Sequence, residues 1–115
     1  MTLLLASGSK TRAEILKNAK IKFKVIDHGV DEEEAKISYS QLEPEGVAIK
    51  LSEIKSIKPS LKFLDKFVIG GDQVLEFDGK LMNKATDIND AKEQLLKLQG
   101  QSHKLITAIT ISKNG

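Results

Sequence analysis

The chain has 115 residues, 30% of them charged and 40% hydrophobic, and its 18 basic and 16 acidic side chains leave a formal charge of +2. That length holds one domain with a modest core, and so near a balance offers no electrostatic footprint for nucleic acid or an anionic membrane. The absence of cysteine excludes disulfides, thiolate metal sites and thiol nucleophiles, and fits a reducing compartment.

No apolar run approaches the ~20 residues of a membrane helix, and the opening MTLLLASGSK lacks the basic segment of a signal peptide. The expectation is a cytoplasmic protein forming a single domain over residues 1–115. Aromatic residues are 4% of the chain and Trp is absent, which argues against base-stacking platforms.

Leu3 to Ala6 is a short apolar run closed by Ser7-Gly8-Ser9 and reads as a buried strand. A helix is predicted to start between Ser9 and Thr11 and run to about Ala19, with Thr11 and Glu14 spaced as a capping box and Ile15, Leu16 and Ala19 as its apolar side. Ile21, Phe23 and Val25 alternate with lysines as a half-buried strand. Asp31 to Glu34 is an acidic loop or helix start. Pro44 suits the first turn of a second helix, which carries Val47, Leu51 and Ile54 and ends at Pro59. Phe67 to Ile69, bounded by Gly70-Gly71, reads as a central strand. Asp78-Gly79 is a type I′ hairpin signal, and Leu81 and Met82 return from it. Asp87 caps a third helix with Ala91, Leu95 and Leu98 inside and Gly100 at its C-terminus. Leu105 to Ile111 forms a long strand, after which Asn114-Gly115 signals a turn with no returning strand. The expectation is a chain cut short, or a sheet edge completed by a partner.

Two segments carry chemistry. At Ser7-Gly8-Ser9-Lys10-Thr11-Arg12 a strand passes through a hydroxyl-rich turn into a helix start, where backbone N–H groups and the dipole favour an anion. Ser7 and Ser9 add donors, and Arg12, which opposes the dipole, gains a bidentate partner if a phosphate binds. The same residues also fit a plain helix cap with a solvated Arg. At Gly70-Gly71-Asp72-Gln73 a carboxylate follows an apolar strand, where α/β ligand sites gather; it can hold Mg²⁺, accept a proton from water, or simply cap local N–H groups. Lys55 lies near the apolar stripe of its helix, so its ammonium is placed to reach a site. His28 and His103 have no spacing that makes them metal ligands.

Taken in order, these segments resemble the Maf family of nucleotide pyrophosphatases, also called septum-formation inhibitors. Leu4-Leu5-Ala6-Ser7-Gly8-Ser9 with Arg12 is similar to that family's LASxSPRR opening, Val30-Asp31-Glu32 to its V-D-E segment, and Leu51 to Ser56 to its LAxxKA helix. Val68 to Asp72 resembles VIGAD, Asp78-Gly79 with Lys84 resembles DGxxxxKP, and Leu95 to Gly100 with His103 to Thr107 resembles mLxxLSGxxHxVxT. The resemblance implies a mixed sheet flanked by helices around a nucleotide cleft, an α/β fold lacking the family's C-terminal part. It implies a homodimer, and hydrolysis of a nucleoside triphosphate to the monophosphate and pyrophosphate with Mg²⁺ or Mn²⁺. It places Asp72 on the proton acceptor, Ser7, Arg12, Lys55 and Lys84 on phosphate-handling positions, and Glu32 beside the metal with Asp72. Lys10 and Thr11 replace the family's Pro-Arg, Ala85 a Pro and Gln99 a Ser. Thr11 falls on a position tied to base choice, and Gln73 is similar to the subgroup acting on 7-methyl-GTP. The enzyme reading requires Asp72, Lys55, Lys84 and Arg12 to meet at one cleft. The alternative is a nucleotide-binding or cell-division-related interaction module without catalysis.

Overall fold

The computed structural model describes residues 3–82 and 85–115. Lys84 therefore lies outside the described residues. The elements are β1 (Leu3–Ala6), α1 (Lys10–Asn18), β2 (Lys24–Ile26), α2 (Glu32–Ser38), α3 (Pro44–Ser60), β3 (Phe67–Phe77), β4 (Lys80–Met82), α4 (Ile88–Leu98) and β5 (Lys104–Ser112). They form a five-stranded mixed sheet flanked by helices, as the sequence led us to expect.

β1 lies in the middle of the parallel part, paired with β2 on one side and with β3 on the other. Leu4, Leu5 and Ala6 are all buried, the unbroken apolar run of a strand covered on both faces. α1 makes the crossover to β2 and closes with Lys20 in the left-handed region at φ 59°. The Lys20 and Ile21 N–H groups bond back to the Lys17 and Leu16 carbonyls at 2.9 and 3.0 Å. This Schellman closure uses up Ile21, so β2 starts only at Lys24, later than the alternation from Ile21 suggests. Ser9, not the Thr11 box, caps α1, accepting from the Arg12 N–H. Ile15, expected on the buried side, is exposed. The acidic run is a helix start: Asp31 caps α2 and Glu32, Glu33 and Glu34 fill its first turn, where the dipole favours them.

β3 is longer than its apolar core. Gly70-Gly71 does not end it; both glycines sit inside an 11-residue strand that runs on to the Asp78-Gly79 turn. Those turn residues have φ 53° and 75°, the type I′ signs. The reason for Gly70 is close approach. A Cβ there would stand 2.5 Å from the Ser56 N and 2.7 Å from the Ser52 carbonyl oxygen, so α3 lies with its backbone almost on the strand. Pro59 falls inside the last turn of α3 rather than past its end.

α3 approaches this closely because its sheet side carries small hydroxyls. Ser52, Ser56 and Ser60 recur every fourth residue and are buried. Ser52 Oγ bonds Thr110 Oγ1 on β5 at 2.8 Å, and Ser56 Oγ donates to the Val68 carbonyl at 2.7 Å. The buried hydroxyls are thus satisfied by sheet partners and by the helix itself. Beside them, Val47, Ala48 and Leu51 pack with Ala35 and Val74 into the main core.

The opposite face of the sheet is open. Leu105, Ile109 and Ile111 of β5 are exposed by more than 60%, as are Leu95 and Leu96 of α4. The expectation that Leu95 lies inside is therefore corrected: α4 has no buried residue. No described helix is long and apolar enough to cross a membrane.

Gly70→Ala is expected to cost about 3 kcal/mol or more, because the clash is with helix backbone that cannot swing aside. Gly8→Ala, whose Cβ would meet nothing within 4 Å, is expected to change stability by less than about 0.5 kcal/mol. Urea denaturation of the two variants checks both.

Candidate active site

A strand has two edges, and those of β3 are used unequally. β5 pairs along one edge from Val68 to Glu76. The other edge carries β1 at residues 67–69 and β4 at residues 75–77. Between them, residues 70–74 of that edge have no strand partner among the described residues, and the Ser7–Ser9 turn at the end of β1 opens onto this gap. The result is a cleft of ≈ 730 Å³ at the C-terminal end of the parallel strands, the position at which α/β sheets bind ligands. Asp72 is thus not past the end of its own strand, as read from sequence, but past the end of the parallel pairing.

The turn builds one wall. Ser7 is buried, and its Oγ accepts from the Ser9 N–H at 3.1 Å and from Arg12 Nη1 at 3.0 Å. Both lone pairs are used, so its own proton remains to be donated. Ser9 Oγ accepts from the Arg12 N–H at 3.2 Å. The guanidinium lies against Gly71, where a Cβ would meet its Cζ and Nε at 3.2 Å. Arg12 is therefore held by hydroxyls and a bare strand, with no carboxylate among the described residues paired to its charge, an arrangement that leaves its attraction for an anion intact.

The other wall is a chain of charges. Lys55 is buried, and its Nζ lies 3.0 Å from Asp72 Oδ1 and 2.5 Å from Glu32 Oε1. His28 stands behind Glu32, with Nε2 3.8 Å from Oε1. Its Nδ1 accepts from the Val30 N–H at 2.9 Å, which leaves the hydrogen of a neutral ring on the nitrogen facing Glu32. One ammonium thus serves two carboxylates. Asp72 is 9% exposed, and its Oδ2 is buried with no hydrogen-bond partner among the described residues. An orphaned carboxylate oxygen beside a cleft is a costly arrangement unless something else binds there.

Strand alternation directs Asp72 toward α3 and Arg12 over the other face, but both line the one cleft because the edge between them is unpaired. Ser7, Ser9, Arg12, Glu32, Lys55, Asp72 and Gln73 all line it. Thr11 is exposed and does not. His28, Lys36 and Gln94 also line it, and the sequence reading set His28 aside as isolated. The one signal available was its four-residue offset from Glu32, across a loop whose path the sequence does not reveal. Among the described residues no three His, Cys, Asp or Glu side chains gather to hold a metal. The carboxylates that line the cleft are Asp72, with its second oxygen, and Glu32, a pair that suits a cation keeping several waters or substrate oxygens.

The sequence model of Maf-like proteins matches residues 2–115. A nucleoside triphosphate pyrophosphatase of Caulobacter vibrioides is 40% identical over 113 residues, spanning 96% of this chain and 56% of the relative. A 7-methyl-GTP pyrophosphatase of Bdellovibrio bacteriovorus is 43% identical over 109 residues, spanning 95% and 56%. A nucleoside triphosphate pyrophosphatase of Pelagibacter ubique is 36% identical over 115 residues, spanning 98% and 59%. The chain thus spans little more than half the length of the curated relatives it matches.

Lys55→Met is expected to destabilise the fold by ~3 kcal/mol, since it removes the ammonium bonded to the buried Asp72 carboxylate. Adding Asp72→Asn is expected to recover part of that loss. A double-mutant cycle read by thermal denaturation checks the coupling.

Proposed function

Because the chain belongs to the Maf-like family, we propose that it serves hydrolysis of a nucleoside triphosphate to the monophosphate and pyrophosphate. The observation that carries this reading is the free, buried Asp72 Oδ2 facing the same cleft as the Ser7–Arg12 turn. The turn binds the phosphate chain: the Ser7 hydroxyl and the first N–H groups of α1 donate to its oxygens, and Arg12 neutralises charge. Asp72 Oδ2 takes the proton of a water attacking the α-phosphorus, and the bond from that phosphorus to the α–β bridging oxygen breaks, releasing pyrophosphate. Lys55, bonded to Asp72 Oδ1, fixes that carboxylate so that its second oxygen is left for the cleft. Charge builds on the phosphoryl oxygens in this step, and fixed cations in a partly dry site stabilise it more than water does.

A divalent cation, Mg²⁺ or Mn²⁺, belongs to this proposal. Asp72 and Glu32 would hold it, and when bound it would polarise the phosphate and lower the pKa of a bound water. The orphaned oxygen of Asp72 fits that role. Lys84, by its place in the resemblance, is a second phosphate-handling lysine, and Thr11 and Gln73 are the positions tied to base choice. The names of the relatives leave both an ordinary triphosphate and 7-methyl-GTP as substrates. A homodimer, a cytoplasmic setting and a part in septum formation come with the family reading. The interaction-module alternative is favoured by the open apolar face of β5 and α4.

Incubated with Mg²⁺ or Mn²⁺ and a triphosphate panel including 7-methyl-GTP, the chain is expected to release pyrophosphate. Asp72→Asn should lower the rate by about 10²- to 10⁴-fold with an unchanged circular dichroism spectrum. Undiminished turnover in that variant removes Asp72 as the base, and nucleotide binding without any release favours the module.

A further inference from the structure

One residue of the family-like segments has no part in the site so far. Thr107 lies on β5 directly opposite Gln73 of β3. Its Oγ1 donates to Gln73 Oε1 at 3.2 Å. Gln73 lines the cleft, while Thr107 does not. Both stand on the sheet face over which Arg12 lies, since residues 71, 73 and 75 share that face.

Beyond Gln73 the cleft changes character. Gly71 and Asp72 belong to its polar end, whereas Leu75, Leu81, Met82 and Leu105 line the far end. Four strand steps from Gly71 to Leu75 span ~13 Å, enough to separate a phosphate chain from a flat, largely apolar ring. Gln73 therefore sits where a bound nucleotide would present the edge of its base.

A glutamine amide is two-faced. It offers an acceptor oxygen and a donor NH₂ on a torsion with broad preferences, so left alone it greets either kind of base edge. Here the oxygen is engaged by Thr107, a β-branched residue whose rotamer is stiff on a strand. With one of the oxygen's two lone pairs taken, both NH₂ donors and a single acceptor site remain, so donors predominate toward the ligand.

We propose that Thr107 is a positioning residue for base choice: by holding Gln73 Oε1 it turns the amide donors to the cleft, and so selects bases whose edge carries an acceptor oxygen over those carrying an amine. This rests on the nucleotide reading above. An amine at that edge would meet donor against donor, and a mismatched pair of donors closed off from water by the ligand binds more weakly than a matched one.

The test compares ligands that differ chiefly at one edge, ITP against ATP and UTP against CTP. Affinities are measured by calorimetry on the 115-residue chain with Mg²⁺, so that turnover is not required. The wild type is expected to favour ITP and UTP by about tenfold. Thr107→Val, which keeps the shape and loses the hydroxyl, should bring both ratios close to one, and Thr107→Ser should restore them. Thermal denaturation of the variants should be unchanged, because the bond is on an exposed face. Ratios that persist in Thr107→Val, or a wild-type preference for ATP and CTP, overturn the proposal while leaving nucleotide binding in place. If none of the four ligands binds, the nucleotide reading itself is lost and this proposal goes with it.

Discussion

A buried ammonium shared by two carboxylates organises this molecule. Lys55 leaves water only because Asp72 and Glu32 meet it at bonding distance, and a charge so placed is tolerated only while its partners stay put. Asp72 comes from the sheet, Glu32 from the first turn of α2 and Lys55 from the middle of α3. The contact therefore ties three elements together. It also sets the chemistry, since Lys55 takes Asp72 Oδ1 and, among the described residues, the second oxygen of Asp72 is left over.

That contact depends in turn on how near α3 can come to β3. Large side chains would hold a helix about 10 Å from a sheet. Here the helix offers Ser52 and Ser56 and the strand offers Gly70, so backbone nearly meets backbone. The hydroxyls bury without penalty because strand carbonyls and strand hydroxyls receive them. The same geometry explains why β3 carries two glycines in mid-strand. One admits the helix and the other admits the Arg12 guanidinium on the reverse face.

The cleft itself is a product of unequal pairing. A parallel neighbour covers the start of β3, an antiparallel hairpin covers its end, and the five residues between them have no strand partner on that edge among the described residues. Groups from opposite faces of the sheet can then share one space. Leu105 belongs both to the open apolar face of β5 and to the far end of that space, so whatever covers that face also shapes the far end of the cleft.

Much of this was legible from residue order. The β1 run, the Ser9 cap, Pro44 at a helix start, the Asp78-Gly79 turn and the Asp87 cap all work through interactions within a few residues, and local signals report local physics. The chemistry-bearing types were legible too: a hydroxyl-rich turn with Arg12, and Asp72 after an apolar run. What the order of residues could not determine was contact across the fold. Nothing local says that Gly70 is there for a helix 14 to 18 residues earlier, that His28 backs onto Glu32 beside the cleft, or that Leu95 stands in the open. Those were decided by packing, because burial and charge pairing depend on which distant surfaces meet, and only the folded chain brings them together.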